Sequence, residues 1–252
     1  MLRLAVISVH GCPVIRLGER DAGGMNVYVL ETARRLAALG VRVDVFTRRH
    51  DPNDPQTIDI APGARVIHLS AGPVSADKDG VYEFLPAFCS ALEAFRESEG
   101  ASYDLISSHY WLSGLVGLDM ARRWAVPHVT SFHTLAEVKR RARPGERDIP
   151  ERAVGERRIV SETDRIVVWT EHEREALRRL YDAEPSRVAV IPPGVDTERF
   201  RPLDMVESRR RLGVSGNRVI LYVGRLERLK GLDILFRALA SLEDSDDVHL
   251  MV

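Results

Sequence analysis

Gly23-Gly24-Met25-Asn26 lies between an apolar run, Leu4 to Val9, and a helical repeat of Val27, Leu30, Ala33, Leu36 and Ala37 that Gly40 ends. Two glycines opening a helix after a strand leave the backbone bare to a ligand. Free N–H groups at that helix start favour an anion. The chemistry suggested is phosphate or diphosphate binding at Gly23 and Gly24, although a plain tight turn uses the same residues.

Other polar residues fall where apolar runs end: His10, His109-Tyr110, His133-Thr134 and Thr170. In an open α/β sheet the carboxyl ends of the strands face one crevice, so these side chains can share a polar ligand. Taken singly, each such histidine reads as a structural hydrogen-bonder. Gly224-Arg225 and Lys230-Gly231 form a second basic pair around a strand end and a helix start, suited to a diphosphate or to a solvated turn. Lys78 in the polar loop from Ala71 to Gly80, Thr134 after a strand and Arg152 near a helix start offer two cations and a hydroxyl. That set suits a phosphomonoester, and exposed surface charges are the alternative.

Asp77-Lys78-Asp79 has the look of a metal-holding acidic triplet, but a lysine between carboxylates opposes a divalent cation. Cys12, Cys89 and the histidines show no metal-ligand spacing, so no metal is expected. Lys139, Arg140, Arg141, Arg143 and Arg147 form a basic run that reads as solvated surface, with membrane attraction or a mobile lid as other readings.

These residues need elements to hold them. Strands are expected at Leu4–Val9, Val41–Phe46, Arg65–Leu69, Asp104–Ser107, His128–Phe132, Arg165–Trp169 and Val188–Ile191. Helices are expected between them, with a polar, Pro-rich loop from Asp51 to Pro62. Alternation of this kind means a doubly wound parallel sheet. After Pro192-Pro193-Gly194 the pattern breaks and one further strand–helix–strand unit begins. The expected organisation is a first domain over 1–195, a linker over 196–217 and the start of a second domain over 218–252. One βαβ unit cannot cover its own sheet, so the second domain is expected to be incomplete. Self-association into a homo-oligomer or poor stability follows from that expectation.

Composition narrows the class. Hydrophobic residues make up 44% of 252, enough for a buried core, and the net charge of −1 gives no bulk attraction to nucleic acid. Two unpaired cysteines, no apolar run of membrane-spanning length and no leader pattern point to a cytoplasmic protein. Lys78, Lys139 and Lys230 are the only lysines among 36 lysines and arginines, which marks them as sites for a compact point charge.

Several stretches resemble the family 4 glycosyltransferases of the two-domain GT-B fold. They are Gly23-Gly24-Met25-Asn26-Val27-Tyr28-Val29, Ser108-His109-Tyr110-Trp111-Leu112-Ser113-Gly114, His133-Thr134-Leu135, Pro193-Gly194-Val195-Asp196 and Gly224-Arg225. The Met-Asn after the glycines resembles the branch that moves N-acetylglucosamine from its UDP donor onto inositol 3-phosphate, rather than the sucrose-phosphate synthases. The resemblance implies a retaining transferase with a nucleotide-diphosphate sugar as donor, a small phosphorylated acceptor and no required cofactor. It assigns His10, Asn26, Lys78, Tyr110, Thr134 and Arg152 to the acceptor, and Arg225 and Lys230 to the donor diphosphate with Gly23 and Gly24. His133 would orient the donor sugar rather than act as nucleophile, and Arg225 and Lys230 would stabilise the leaving group. This chain alone is expected to bind nucleotide sugar weakly and to turn over little. Other readings are a module that binds acceptor without turnover, and a hydrolase or phosphorylase on the same fold.

Overall fold

Short β-branched runs, each followed by a repeat of helical period, fold as successive β–α units in the computed structural model of the chain. The structure describes residues 1–15, 23–77, 80–142, 145, 148–214, 218–224, 226, 230–242 and 247–252. Two compact units are present, Met1–Pro193 and Gly194–Val252.

The first unit contains β1 (Arg3–Ile7), α1 (Gly24–Ala38), β2 (Arg42–Arg48), β3 (Thr57–Ala61), β4 (Ala64–Leu69), α2 (Leu85–Ser98), β5 (Leu105–His109) and α3 (Trp111–Trp124). It continues with β6 (His128–Ser131), α4 (Ala136–Ala142), α5 (Pro150–Glu162), β7 (Arg165–Val168), α6 (Glu171–Tyr181) and β8 (Val188–Val190). One sheet runs in the order β3-β4-β2-β1-β5-β6-β7-β8. The winding direction reverses between β1 and β5, so the crevice that such sheets offer to ligands opens there.

β1 shows why helices cover both faces. Leu4 and Val6 pack with Val29 and Ala33 of α1, whereas Ala5 and Ile7 join the core that holds Phe88, Leu92, Leu112 and Ile159. A parallel strand buried on both faces needs such a continuous apolar run.

One expectation is corrected, and two other stretches carry helices that the sequence pattern did not specify. The Pro-rich loop from Asp51 to Pro62 contains β3, which pairs antiparallel with β4 (Ile58 opposite Val66), so the sheet is mixed rather than wholly parallel. Thr57-Ile58-Asp59-Ile60 alternates weakly and stays half-exposed, as suits an edge strand that needs little apolar content. The charged segment before α5 begins with the helix α4, whose Arg140 and Arg141 both pair with Glu137. The stretch expected as linker holds α7 (Met205–Leu212), capped by the Asp204 carboxylate on Glu207 N at 2.8 Å.

In the second unit β9 (Arg218–Leu221) pairs parallel with β10 (Val248–Met251), joined through α8 (Leu232–Ala240). α8 buries none of its residues, and Ile234 and Phe236 stay exposed. No helix among the described residues is long and apolar enough to cross a membrane.

Candidate functional site

α3 and α5 meet through glycine. A Cβ on Gly114 would lie 2.6 Å from Ile159 Cδ1, and one on Gly155 would lie 3.1 Å from Trp111 Cε3. The close approach that these glycines permit sets the first turn of α5, with Arg152, over Tyr110, the residue that opens α3. The Arg152 guanidinium stands 4.9 Å from the centre of the Tyr110 ring, a cation–π contact, and the His10 ring is 4.5 Å from Tyr110 on the β1 side.

Arg152 is only 2% exposed and is held on every nitrogen. Nε donates to Glu156 Oε1 at 2.8 Å, Nη1 to both Asp148 oxygens at 3.3 Å, and Nη2 to Thr134 O at 3.1 Å and Thr134 Oγ1 at 3.0 Å. Glu156 is wholly buried and also accepts from Ala136 N and the Tyr181 hydroxyl. Lys139 Nζ donates to Asp148 Oδ1 at 3.1 Å. Thr134 is therefore the exposed end of a buried ionic cluster.

Beside it, His109 Nδ1 and His133 Nε2 are 3.0 Å apart, one ring donating and the other accepting. Tyr28 packs edge-on against His109, His133 and Trp169, with centroids 5.7, 5.6 and 5.4 Å away. Burial pushes the His133 imidazole down to about 2, with His109 and His10 acting in the same sense. Burial alone takes His109 to about 4, so both rings are neutral at neutral pH.

The backbone is strained at this site. Among the described residues, four non-glycines have positive φ: Tyr110, Ala125, His133 and Asp182. Ala125 and Asp182 are left-handed helix C-caps, where the conformation is routine. Tyr110, at φ 75° and ψ 160°, occupies a region that is otherwise almost confined to glycine, and His133 has φ 61°. Each costs about 1–3 kcal/mol and persists only because the surroundings hold it.

At the start of α1, Gly23 N donates to Asn26 Oδ1 at 3.0 Å, while Asn26 Nδ2 donates to Cys12 O at 2.8 Å. Asn26 is buried and spans the helix start and the loop after β1. Gly23 and Gly24 have negative φ or none that demands glycine, and a Cβ on either would meet no atom within 4 Å. Neither conformation nor packing accounts for the glycine pair.

His10, Tyr110, His133, Thr134 and Arg152 thus come together at the carboxyl ends of β1, β5 and β6, and Asn26 supports the same loop. Lys78 and Arg225 lie outside the described residues. Lys230 belongs to the second unit, exposed just before Gly231, the N-cap of α8. Asp77 accepts from Gly80 N at 2.8 Å. Sequence reasoning passed over Tyr28, Trp169, Asp148 and Glu156. The last had a signal, because it follows Arg152 at the spacing that pairs side chains on one helix face. The sequence offers no metal-ligand spacing among the cysteines and histidines, yet the ligand atoms of Cys12, His50 and His68 lie within 4.8 Å of one another.

Residues 22–199 match the profile described as Glycosyltransferase Family 4. The D-inositol 3-phosphate glycosyltransferase of Actinosynnema mirum is 45% identical over 252 residues, covering 98% of this chain and 60% of that protein. The protein of the same name from Mycolicibacterium gilvum is 45% identical, covering 99% of this chain and 57% of its own length. The chain therefore spans roughly three-fifths of the length of these relatives. Among solved structures, sucrose-phosphate synthase from Thermosynechococcus elongatus matches with a TM-score of 0.89 at 34% identity, covering 99% of this chain and 61% of that one. Anabaena Alr3699/HepE, solved in complex with UDP and glucose, matches at a TM-score of 0.68 and 17% identity over 99% of this chain and 60% of its own, a likeness of fold alone. The fold is of the GT-B type, and the chain belongs to glycosyltransferase family 4.

Proposed function

We propose that the protein carrying this chain is a retaining glycosyltransferase. It moves a sugar, N-acetylglucosamine, from a UDP donor to inositol 3-phosphate. The observation that carries this reading is the pairing of strained Tyr110 and His133 with the Thr134–Arg152 cluster at one crevice. Strain held at a ligand-facing strand end is characteristic of sites under functional constraint. The names of the relatives that are 45% identical support the acceptor, and the UDP bound in the Anabaena structure supports the donor class.

In this reading Thr134 offers its hydroxyl to the acceptor phosphate, with the charge of Arg152 behind it and Lys78 assigned to the same phosphate by resemblance. Direct contact between the phosphate and Arg152 requires Asp148 or Thr134 to give up a hydrogen bond. The amide of Gly24 offers a donor for a diphosphate oxygen, while that of Gly23 is already given to Asn26 Oδ1. Arg225 and Lys230 are donor-diphosphate residues by resemblance alone. A neutral His133 orients the donor sugar, because a ring depressed to about 2 is a poor proton acceptor at neutral pH. The leaving phosphate then deprotonates the acceptor on the same face, without a catalytic metal.

The likeness to sucrose-phosphate synthase, a protein of the same fold at 34% identity, motivates a second reading, in which the acceptor is a hexose phosphate instead of inositol 3-phosphate. The deciding experiment measures UDP release and product mass with UDP-N-acetylglucosamine, comparing inositol 3-phosphate, unphosphorylated inositol and hexose phosphates. Transfer that prefers inositol 3-phosphate supports the proposal. Equal use of plain inositol removes the phosphate reading, and binding of acceptor with no product at all would leave only an acceptor-binding module.

A further inference from the structure

Cys12, His50 and His68 come from three neighbouring strands: the loop after β1, the residues just past β2, and β4 itself. Cys12 Sγ lies 3.3 Å from His68 Nε2, and a ligand atom from each of the three lies within 4.8 Å of the others. Cys12 and His68 are 4% and 2% exposed, while His50 is half-buried.

The surroundings orient the rings. His68 Nδ1 is 2.7 Å from Pro55 O, and a carbonyl only accepts, so Nδ1 carries the proton and donates. Nε2 then presents a lone pair on the side of the Cys12 sulfur. Asp54 Oδ2 is 2.9 Å from His50 Nδ1 and is itself held by the backbone N–H of Asp51 at 2.9 Å and of His50 at 3.2 Å. The carbonyl that accepts from the His68 ring is the kind of outer partner that metal-ligating imidazoles use, whereas the Asp54 carboxylate lies close to the His50 ring without hydrogen-bond alignment.

We propose that Cys12, His50 and His68 form a binding site for zinc or a similar borderline-soft divalent cation, leaving a fourth coordination position for water. Tetrahedral zinc bonds of about 2.3 Å to sulfur and 2.0–2.1 Å to nitrogen place those two atoms roughly 3.5 Å apart. The Cys12–His68 pair is already close to that separation. The wider separations involve His50, which the half-exposed stretch after β2 can bring in. One sulfur and two nitrogens select zinc over magnesium or calcium, which prefer oxygen. A cavity of about 360 Å³, with Arg49, Gln56 and Ser70 in its lining, borders one of the three ligands, His68. On binding, the Cys12 S–H bond breaks, the sulfur–metal bond forms and the proton passes to buffer. No oxidation state changes.

The consequence is structural. Cys12 O is the acceptor for Asn26 Nδ2, so an ion at this site ties the loop carrying His10 and the start of α1 to β2 and β4. The site stands independently of the transferase reading.

The test uses the 252-residue chain under reducing, chelator-stripped conditions with cobalt and zinc alone as probes. One equivalent of Co²⁺ is expected to produce a thiolate-to-metal charge-transfer band that one equivalent of Zn²⁺ abolishes. Cys12→Ser should remove the band, Cys89→Ser should retain it, and His50→Ala should weaken Zn²⁺ binding at least about 10-fold. Zinc should also raise the melting temperature of the wild type and not that of His50→Ala. His50 is the least buried ligand, so this variant keeps the test informative if Cys12→Ser fails to fold. A folded wild type with no thiolate band overturns the proposal. So does a band that survives Cys12→Ser, or equal zinc stabilisation of wild type and His50→Ala.

Discussion

Arg152 Nη2 donates to Thr134 Oγ1 at 3.0 Å, so a hydroxyl at the surface is coupled to a guanidinium that solvent scarcely reaches. The two residues have opposite mutational characters. Arg152→Ala strips the buried Glu156 of its cation, which should cost about 3–5 kcal/mol of stability. Thr134→Val removes an exposed hydroxyl and should cost under about 1 kcal/mol, while weakening a phosphorylated acceptor by roughly 10- to 150-fold. Urea denaturation of both variants, with acceptor titration of Thr134→Val, checks the division. A Thr134→Val protein with unchanged acceptor affinity would remove Thr134 from the site.

Gly24 separates function from stability in another way. It is the first residue of α1 and its Cβ direction is empty, so Gly24→Ala should leave the fold as stable or raise stability by up to about 1 kcal/mol. If the bare helix start holds a diphosphate, the same methyl group should reduce turnover at least about 10-fold. Paired melting and rate measurements decide it. Unimpaired turnover would mean that the glycine serves no ligand.

Acid should destabilise the first unit through His109 and His128. Burial takes both rings down from 6.5 to about 4, and His128 is enclosed by Ser108 and Thr163. The unfolded chain takes up these protons near pH 6.5, whereas the folded one refuses them until about pH 4. The stability they support is therefore complete above about pH 7 and falls as pH drops, by on the order of 2 kcal/mol per ring at pH 5. Denaturant midpoints from pH 7 to 5 should show the slope, and His128→Gln should flatten it. An unchanged slope in that variant would contradict the assignment.

At the opposite ends of the strands, Asp44 on β2 accepts from Arg3 Nη2, Arg65 Nε and Tyr103 Oη, each at 2.7 Å. Burial alone would raise its carboxyl, but the hydrogen bonds from Arg65, Arg3 and Tyr103 outweigh it and hold the group below the usual carboxylate range. Its contribution is present above the unfolded carboxylate range near pH 4 and is lost as pH falls through the lower folded value. Asp44→Ala leaves two part-buried arginines without their shared partner and should cost about 3–5 kcal/mol by chemical denaturation. A loss below about 1 kcal/mol would show that water replaces the carboxylate.

Several features were legible along the chain because they depend on neighbours in sequence. Alternating β and helical periods specify the doubly wound sheet, since a strand buried on both faces must be apolar throughout. The edge strand β3 was not legible: half-exposed and short, it owes its pairing to β4 rather than to its own composition. Likewise α7 is a polar helix with no buried face, so no apolar period marks it.

The site divides along the same line. Residue types at strand ends are local information, and by themselves they placed His10, Tyr110, His133 and Thr134 at one edge. What Arg152 does was settled only by the packing of α5 on α3, where two glycines let the helices close until the guanidinium met Tyr110, Thr134 and Glu156 together. The strain at Tyr110 is tertiary as well, because no local preference places a tyrosine at φ 75° and ψ 160°. The meeting of Cys12, His50 and His68 follows from the order β4-β2-β1, a pairing created by long-range hydrogen bonds that no spacing along the chain encodes.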